Sequence, residues 1–379
     1  MKNFYLSILI LTLFVNNTFA QKSIDFGTDT TFEIATWNLE HFPKNGQTTI
    51  DYVSLFVGEM SIDLFALQEI ESQSSFNSLV ADLEGYEGYW AYDQYAPLAI
   101  LYKPDLVDLQ NTYRILTTYS REFPRAPLVA EISVRGDAYV VIVNHYKCCG
   151  DGILNLNDDW DEETRRYDAS VLLKDYIDTH YADDKVIVLG DFNDEILDDE
   201  ANNVFQPFLD ATTDYAFADM SVAESSASNW SYPSWPSHLD HILVTNEVFD
   251  EFIGGVSDVE CLKPDEYMPG GWTAYDNDIT DHRPVALRMA MAPDTVGIES
   301  INRSLISIYP NPASTNIEIN MPDPYGIIAI YNSIGNKVAE FSAESQKRSY
   351  NVSELGTGLY FVNVRTSKYS ETKRLIIER

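Results

Sequence analysis

Basic residues are scarce in this sequence. Its 379 residues hold 25 Lys and Arg against 59 Asp and Glu, a formal net charge of −34. A surface of that sign repels phosphate polymers at long range, which excludes a protein that coats nucleic acid by charge alone. Any nucleic acid must instead be gripped locally, by a metal ion and a few cations. The acidity is uneven: residues 306–379 carry 8 Lys and Arg against 7 Asp and Glu, so the excess sits in the part before them. Cysteine is scarcer still, with Cys148, Cys149 and Cys261 the whole complement. Three cysteines exclude a disulfide-rich scaffold, and without a C-x-x-C spacing they do not read as a zinc site. Their odd number leaves one thiol free if any two pair, and the sequence does not choose the pair.

Long apolar runs are absent beyond the N-terminus. The run at 4–15 falls short of the ~20 residues needed to span a bilayer. It follows Lys2 and precedes small and polar residues ending Thr18-Phe19-Ala20. The pattern predicts a secretory signal peptide over 1–20, cut near Ala20-Gln21, and no transmembrane segment.

What the chain does have is apolar mass, 45% hydrophobic and 13% aromatic residues, enough for a substantial core. Short apolar runs bounded by Gly, Pro, Asn or Asp predict strands at 32–37, 64–68, 98–102, 128–134, 139–144, 186–189, 241–244 and 284–289. Amphipathic stretches predict helices at 49–60 and 161–181. Mixed strands and helices over this length imply sheets covered by helices, an α/β or α+β domain over 28–292. Residues 293–305 lack periodicity and read as a linker. Beyond them, strand-like runs at 317–320, 327–331, 337–341 and 359–364, separated by turn signals, predict a small all-β sandwich over 306–379.

Chemistry gathers where apolar strands end in polar residues, as expected of sites at sheet edges. The segments are ATWNLEHF with Asn38, LFALQEI with Glu69, REFPRAPLV with Arg125, and VIVNHYK with Asn144 and His145. VIVLGDFND with Asp191 and Asn193, SHLDHILVT with Asp240, and TDHRPVAL with Asp281 and His282 complete the set. Each alone has an ordinary explanation as a cap, turn or surface group. Together they supply hard oxygen ligands for a divalent cation, two histidines for proton handling and an arginine for phosphate. Those are the parts phosphodiester hydrolysis requires.

The ordered motifs N-x-E-x-F, L-Q-E, N-H, G-D-F-N, L-D-H and T-D-H resemble the endonuclease/exonuclease/phosphatase superfamily. Deoxyribonuclease I, apurinic endonucleases, bacterial sphingomyelinases and inositol phosphatases belong to it. The resemblance covers roughly residues 30–290 and implies an α+β fold, a four-layer α/β/β/α sandwich of two mixed sheets. It also implies a Mg²⁺ or Mn²⁺ ion with Glu69 as principal ligand, Asn38 and Asp281 completing or orienting the shell. Asp191 would position or deprotonate the attacking water, and Asn193 would bond a phosphate oxygen. Asp240 would pair with His282 and favour its imidazolium, which would stabilise the phosphorane. His145 would donate to a phosphoryl oxygen or the leaving group, and Asn144 and Arg125 would bind substrate, Arg125 gripping a phosphate.

Other residues have plainer readings beside the functional one. Glu40 and His41 read foremost as loop neighbours of Asn38. Trp230, Tyr232 and Trp235 read equally as loop packing and as stacking surfaces for bases. The stretch 151–163, DGILNLNDDWDEE, holds enough oxygen ligands for a structural Ca²⁺. It lacks the mid-loop Gly of an EF-hand and reads foremost as a solvated acidic loop.

The tail, with ISIYPNPASTNIEI, IAIYNSIGNKV and LGTGLYFVNVRTS, resembles the C-terminal sorting domain of the type IX secretion system. This implies contact with outer-membrane secretion machinery and a secreted or cell-surface protein exported through the periplasm. The expected function is an extracellular nuclease hydrolysing DNA and/or RNA by metal-assisted in-line attack of water. The alternatives are a sphingomyelinase-like phospholipid phosphodiesterase, a small phosphoester phosphatase, and a non-catalytic surface-binding protein.

Overall fold

The computed structural model describes residues 24–252, 256–291, 306–321, 325–333, 335–344, 347–366 and 370–379. The expected signal peptide and the linker 293–305 lie outside them. The larger unit is built on twelve strands. The first six are β1 (Thr31–Asn38), β2 (Leu64–Gln68), β3 (Glu87–Ala91), β4 (Leu98–Tyr102), β5 (Val107–Arg114) and β6 (Leu128–Val134). The others are β7 (Asp137–His145), β8 (Val186–Asp191), β9 (Tyr215–Phe217), β10 (Asp240–Thr245), β11 (Asp258–Cys261) and β12 (Val285–Ala290). They form two six-stranded sheets ordered β11-β12-β1-β2-β4-β3 and β5-β6-β7-β8-β10-β9. Each is mixed: β1 and β2 run parallel in one, β7 and β8 in the other, and the remaining neighbours are antiparallel.

Side chains alternate between the faces of a strand, and this period of two sorts the apolar residues into three layers. Phe32 and Ile34 of β1, Leu64 and Ala66 of β2, Val141 and Val143 of β7, and Ile187 and Leu189 of β8 share the core between the sheets. The opposite face of the first sheet, with Ala35, Trp37, Phe65 and Leu67, packs on α1 (Gln47–Met60) and α2 (Gln73–Asp82) through Val53, Phe56 and Leu79. The opposite face of the second, with Ile142, Val188 and Leu243, packs on α3 (Glu162–His180) through Leu173 and Ile177. Each such aliphatic side chain removed from water contributes roughly 1.5–3 kcal/mol. The result is the expected four-layer sandwich. The helix α3 starts on a side-chain cap, with the Asp161 carboxylate accepting from the Thr164 amide at 2.9 Å.

The C-terminal part is all β. One sheet pairs Ser307–Tyr309, Asn316–Asn320 and Lys347–Asn351, and the other pairs Lys337–Glu344, Tyr325–Asn332, Gly358–Arg365 and Ser370–Ile377. Ile317, Ile319, Ile328, Ile330, Val362 and Leu375 fill the space between. Among the described residues, no helix is long and apolar enough to cross a membrane.

One buried carboxyl in this scaffold makes stability depend on pH. Glu33, fully buried on β1, accepts from the Thr28 amide at 3.2 Å and from the Thr31 hydroxyl. Its backbone N–H donates to Asp63 at 3.0 Å. Burial, and then the adjacent Asp63 carboxylate, push its pKa up to about 8, from 4.5 when exposed. The folded chain therefore holds a proton that the unfolded chain has lost between those values. Stability from this group is full below pH 4.5 and declines as pH rises towards 8. We expect Glu33→Gln to gain in Tm relative to the parent across that window, with parity at its acid end. Parallel Tm curves for the two proteins would contradict this.

Candidate active site

Parallel central strands place their C-terminal ends together. Asn38 ends β1 opposite Gln68 of β2, His145 ends β7 opposite Asp191 of β8, and Asp240 opens the antiparallel β10 opposite the same Asp191. The side chains of Asn38, His145, Asp191 and Asp240 fall on the strand faces that turn towards the other sheet. The site is thus the polar end of the inter-sheet layer. Its last members, Asp281 and His282, lie immediately before β12 and are carried beside β1 by the β1–β12 pairing.

Loop geometry at the strand ends is unusual. Glu69 has φ 61° and Asn193 φ 55°, while Glu40 and His41 have φ 27° and 55°. Left-handed backbone costs a non-glycine residue energy and concentrates at functional sites. Here it turns the chain sharply just past β1, β2 and β8, and neighbouring groups hold the turned side chains. The Glu69 carboxylate accepts from the His41 amide at 3.1 Å and from Asn38 Nδ2 at 3.3 Å.

Asp191 is the hub. Its Oδ2 accepts from Asn38 Nδ2 at 2.9 Å, and its Oδ1 accepts from the Asn193 amide at 2.9 Å. His145 Nε2 lies 3.5 Å from the same Oδ2 and His282 Nε2 lies 3.9 Å from it. Burial raises the Asp191 pKa to about 6, while the His282 charge opposes the rise and Asp240 adds to it. His282 Nδ1 and Asp240 Oδ2 are 2.7 Å apart. Burial disfavours the imidazolium, but the Asp240 and Asp191 carboxylates outweigh it and lift His282 to about 10. His145 behaves oppositely. Complete burial, then the positive charges of Arg125 and His282, hold its pKa well below the usual value, so its ring is neutral. Two histidines in one site thus have different charge states: Asp240 pairs with His282 and holds its proton, while burial and two neighbouring positive charges keep His145 neutral.

The cleft above these groups has a volume of about 1070 Å³ and is lined by Asn38, Glu69, Arg125, His145, Asp191, Asn193, Asp281 and His282. Asp240 stands behind His282, fully buried. Asn144 does not line the cleft, because it shares the parity of Val140 and Ile142 and faces the helix layer while His145 faces the other sheet. Arg125 is the one Lys or Arg in the lining among the described residues. It donates one N–H to the Tyr146 carbonyl at 3.1 Å. Tyr92, Tyr95 and Trp235, exposed by 72%, 63% and 78%, stand around the mouth, and the Tyr232 ring lies 4.9 Å from that of His282. Trp230 is not in the lining and donates to the Ala223 carbonyl at 3.2 Å.

The donors fit a hard dication. Glu69, Asn38 and Asp281 offer oxygen alone, the ligand type that Mg²⁺ and Mn²⁺ prefer. Burial raises Asp281 to about 6, with the His282 charge opposing and Glu40 reinforcing the rise. Glu40, read from sequence as a loop neighbour, accepts from the Asp281 amide at 3.0 Å and so fixes that turn. His41 and Glu71 also join the rim, with His41 Nδ1 and Glu71 Oε1 2.7 Å apart. The sequence gives one hint of this, a second glutamate two residues beyond Glu69.

Two further groups of ligand-type side chains lie elsewhere. Asp219, His238 and His241 are buried together, with Asp219 Oδ2 at 2.9 Å from His238 Nε2 and 2.7 Å from His241 Nδ1. Asp219 also accepts from the Ile242 amide at 2.9 Å, so this trio fastens β10 to the preceding loop. In the acidic stretch 151–163, the ligand oxygens of Asp151, Asp161 and Glu163 lie within 4.8 Å of one another. Asp161 is occupied as the cap of α3, and Glu163 accepts from the Gly152 amide and pairs with Arg166.

The model of the Endonuclease/Exonuclease/phosphatase family matches residues 35–282. That of the Secretion system C-terminal sorting domain matches residues 307–378. No curated protein matches the chain. Among solved structures, D. rerio TDP2 complexed with single strand DNA product is similar with a TM-score of 0.51 and 14% identity, over 69% of this chain and 100% of that one. The human Nocturnin catalytic domain with bound sulfate anion gives a TM-score of 0.50 and 15% identity, over 69% and 95% of the two chains. At such identities the likeness is one of fold.

Proposed function

This chain belongs to the endonuclease/exonuclease/phosphatase family, a family of phosphoester hydrolases, and from that premise we propose that it is an exported, metal-dependent phosphodiesterase that cleaves nucleic acid. The observation that carries the reading is the disposition around Asp191. A buried carboxylate with its pKa lifted to about 6 lies between a neutral histidine and a charged one, across from the Glu69 carboxylate.

In this reading Glu69, with Asn38 and Asp281, would hold Mg²⁺ or Mn²⁺, which when bound would supply charge neutralisation for the phosphoryl group. The chain's own residues do the rest. Asp191 orients the attacking water and takes its proton, a task for which a pKa near 6 suits a base working around neutrality. The His282 imidazolium, locked to Asp240, faces the negative charge that develops on phosphorus. Neutral His145 donates a hydrogen bond to a phosphoryl or leaving oxygen. Asn193 bonds a second oxygen, and Arg125 clamps a phosphate through its planar fork. Asn144, turned to the helix layer, contributes only to the strand that carries His145.

The acidic lining, with Arg125 its one Lys or Arg among the described residues, attracts a long polyanion poorly, so stacking must add to the local grip of metal and Arg125. Tyr92, Tyr95 and Trp235 supply that surface at the mouth. Base–aromatic stacking is worth about 1–3 kcal/mol per base. Trp235→Ala should therefore raise KM for a single-stranded oligonucleotide about 10-fold, with kcat within about twofold. An unchanged KM would remove stacking from the account. The sorting domain marks the chain for export and for contact with the secretion machinery.

A substrate panel tests the whole reading: duplex and single-stranded DNA, RNA, sphingomyelin and a small phosphomonoester, each with Mg²⁺ and with chelator. Metal-dependent cleavage of nucleic acid is expected. Turnover of lipid or monoester alone would replace the substrate, and no turnover would overturn the enzyme.

A further inference from the structure

Cys148 and Cys149 follow His145 by three and four residues, and both line the catalytic cleft. In extended chain, neighbouring side chains point to opposite sides. Here Cys149 has φ 71° and Gly150 has φ 116°, and the reversal brings the two sulfurs to the same side, 2.9 Å apart. The turn is held from beneath by a buried cation. Arg166 Nη1 donates to the Lys147 carbonyl at 2.9 Å and to the Cys149 carbonyl at 2.6 Å. Gly150 suits its place, since φ is 116° there and a Cβ would lie 2.1 Å from the Glu163 carboxylate and have to displace it.

We propose that Cys148 and Cys149 are a redox modification site, closing into a vicinal disulfide on the wall of the active-site cleft. Cys149 is exposed and Cys148 half-buried, so an external oxidant reaches the pair. Cys261 is buried among Val285, Leu287 and other residues of the inter-sheet core, where burial pushes its thiol up and keeps it inert. The pairing that sequence leaves open is thereby decided, with Cys261 the odd thiol.

The oxidant is a low-molecular-weight or protein disulfide of the export compartment. The Cys149 thiolate attacks one of its sulfurs, forming a mixed disulfide and expelling one thiolate. The Cys148 thiolate then attacks Cys149 Sγ, forming the intramolecular bond and expelling the second thiolate. Two thiol protons are released, and the two electrons end on the oxidant. Adjacent Cα atoms lie about 3.8 Å apart, below the roughly 4.4–6.8 Å that disulfides favour, so the ring is strained and easily reduced. A reducible bond therefore lies beside the catalytic groups, and it closes only once the chain leaves a reducing compartment.

The test uses the full chain, reduced, desalted and then treated with oxidised glutathione, quenched with acid and alkylated after denaturation. Peptide mass spectrometry should show the Cys148–Cys149 peptide two hydrogens lighter and unalkylated, with Cys261 alkylated. Reduced glutathione at millimolar concentration should reopen the bond. The reduced protein should bind one equivalent of phenylarsine oxide, which needs two adjacent thiols, and Cys148→Ser should abolish that binding. Stable glutathione adducts, a link from either residue to Cys261, or three alkylated thiols would each overturn the proposal. Since oxidation is done in solution, the result does not depend on the export reading or on catalysis.

Discussion

Asp191→Asn is expected to lower kcat/KM for every phosphodiester the protein cleaves by about 10³-fold or more, with no loss of fold. The substitution is nearly isosteric, and an Asn oxygen still accepts the Asn193 amide that Asp191 Oδ1 receives at 2.9 Å. It removes the group able to take a proton from water and the negative charge that His145 and His282 both face. Two readouts therefore accompany the loss of rate. The far-ultraviolet dichroism and thermal midpoint should stay near those of the parent. The His282 imidazolium, raised by Asp240 and then by Asp191, should titrate lower by NMR while staying above an ordinary histidine, because Asp240 remains at 2.7 Å. Turnover within a few fold of the parent in a folded variant would rule out Asp191 as base.

Removal of divalent cations should abolish hydrolysis, and Mg²⁺ or Mn²⁺ should restore it. The floor of the cleft explains why. Glu69, Asp191 and Asp281 line it, Asp240 stands behind His282, and Arg125 is the one Lys or Arg in the lining among the described residues. A phosphate brought to this floor meets net negative charge unless a cation intervenes. Glu69→Gln keeps the shape and one acceptor oxygen, so it retains one of the hydrogen bonds from Asn38 and His41 while removing the charge. The concentration of Mg²⁺ giving half-maximal rate should rise by about 100-fold, the upper range for losing groups that merely orient ligands. Activity indifferent to chelator, or an unchanged Mg²⁺ requirement in Glu69→Gln, would refute the metal assignment.

Much of the scaffold was legible because buried strands write themselves as apolar runs. The runs at 64–68, 98–102 and 128–134 coincide with β2, β4 and β6. In the larger unit the strands not read from the sequence were β3, β5, β9 and β11, the four edges of its two sheets, and in the tail Ser307–Tyr309, Lys347–Asn351 and Ser370–Ile377, also edges, were not read. An edge strand is flanked on one side only, so it needs no continuous apolar run. Glu87–Ala91 is largely exposed, and Val107–Arg114 carries Asp108, Gln110 and Asn111. In the tail, the runs at 317–320, 327–331, 337–341 and 359–364 all fall within strands.

By itself the sequence determined the order of strand ends bearing Asn38, Glu69, His145, Asp191, Asp240 and His282, the family those motifs belong to, and the sorting tail. It could do so because each motif is local, an apolar strand followed by its polar terminus. Tertiary structure alone decided what each terminus faces. Asn144 and His145 are neighbours of similar polarity, and only the packing of one sheet on the other sends the histidine to the cleft and the asparagine to the helices. It alone set His145 neutral and His282 charged, joined His41 to Glu71, and placed two sulfurs on one side of a turn. Such contacts join segments far apart in the chain or depend on a backbone reversal, and neither leaves a local mark in the sequence.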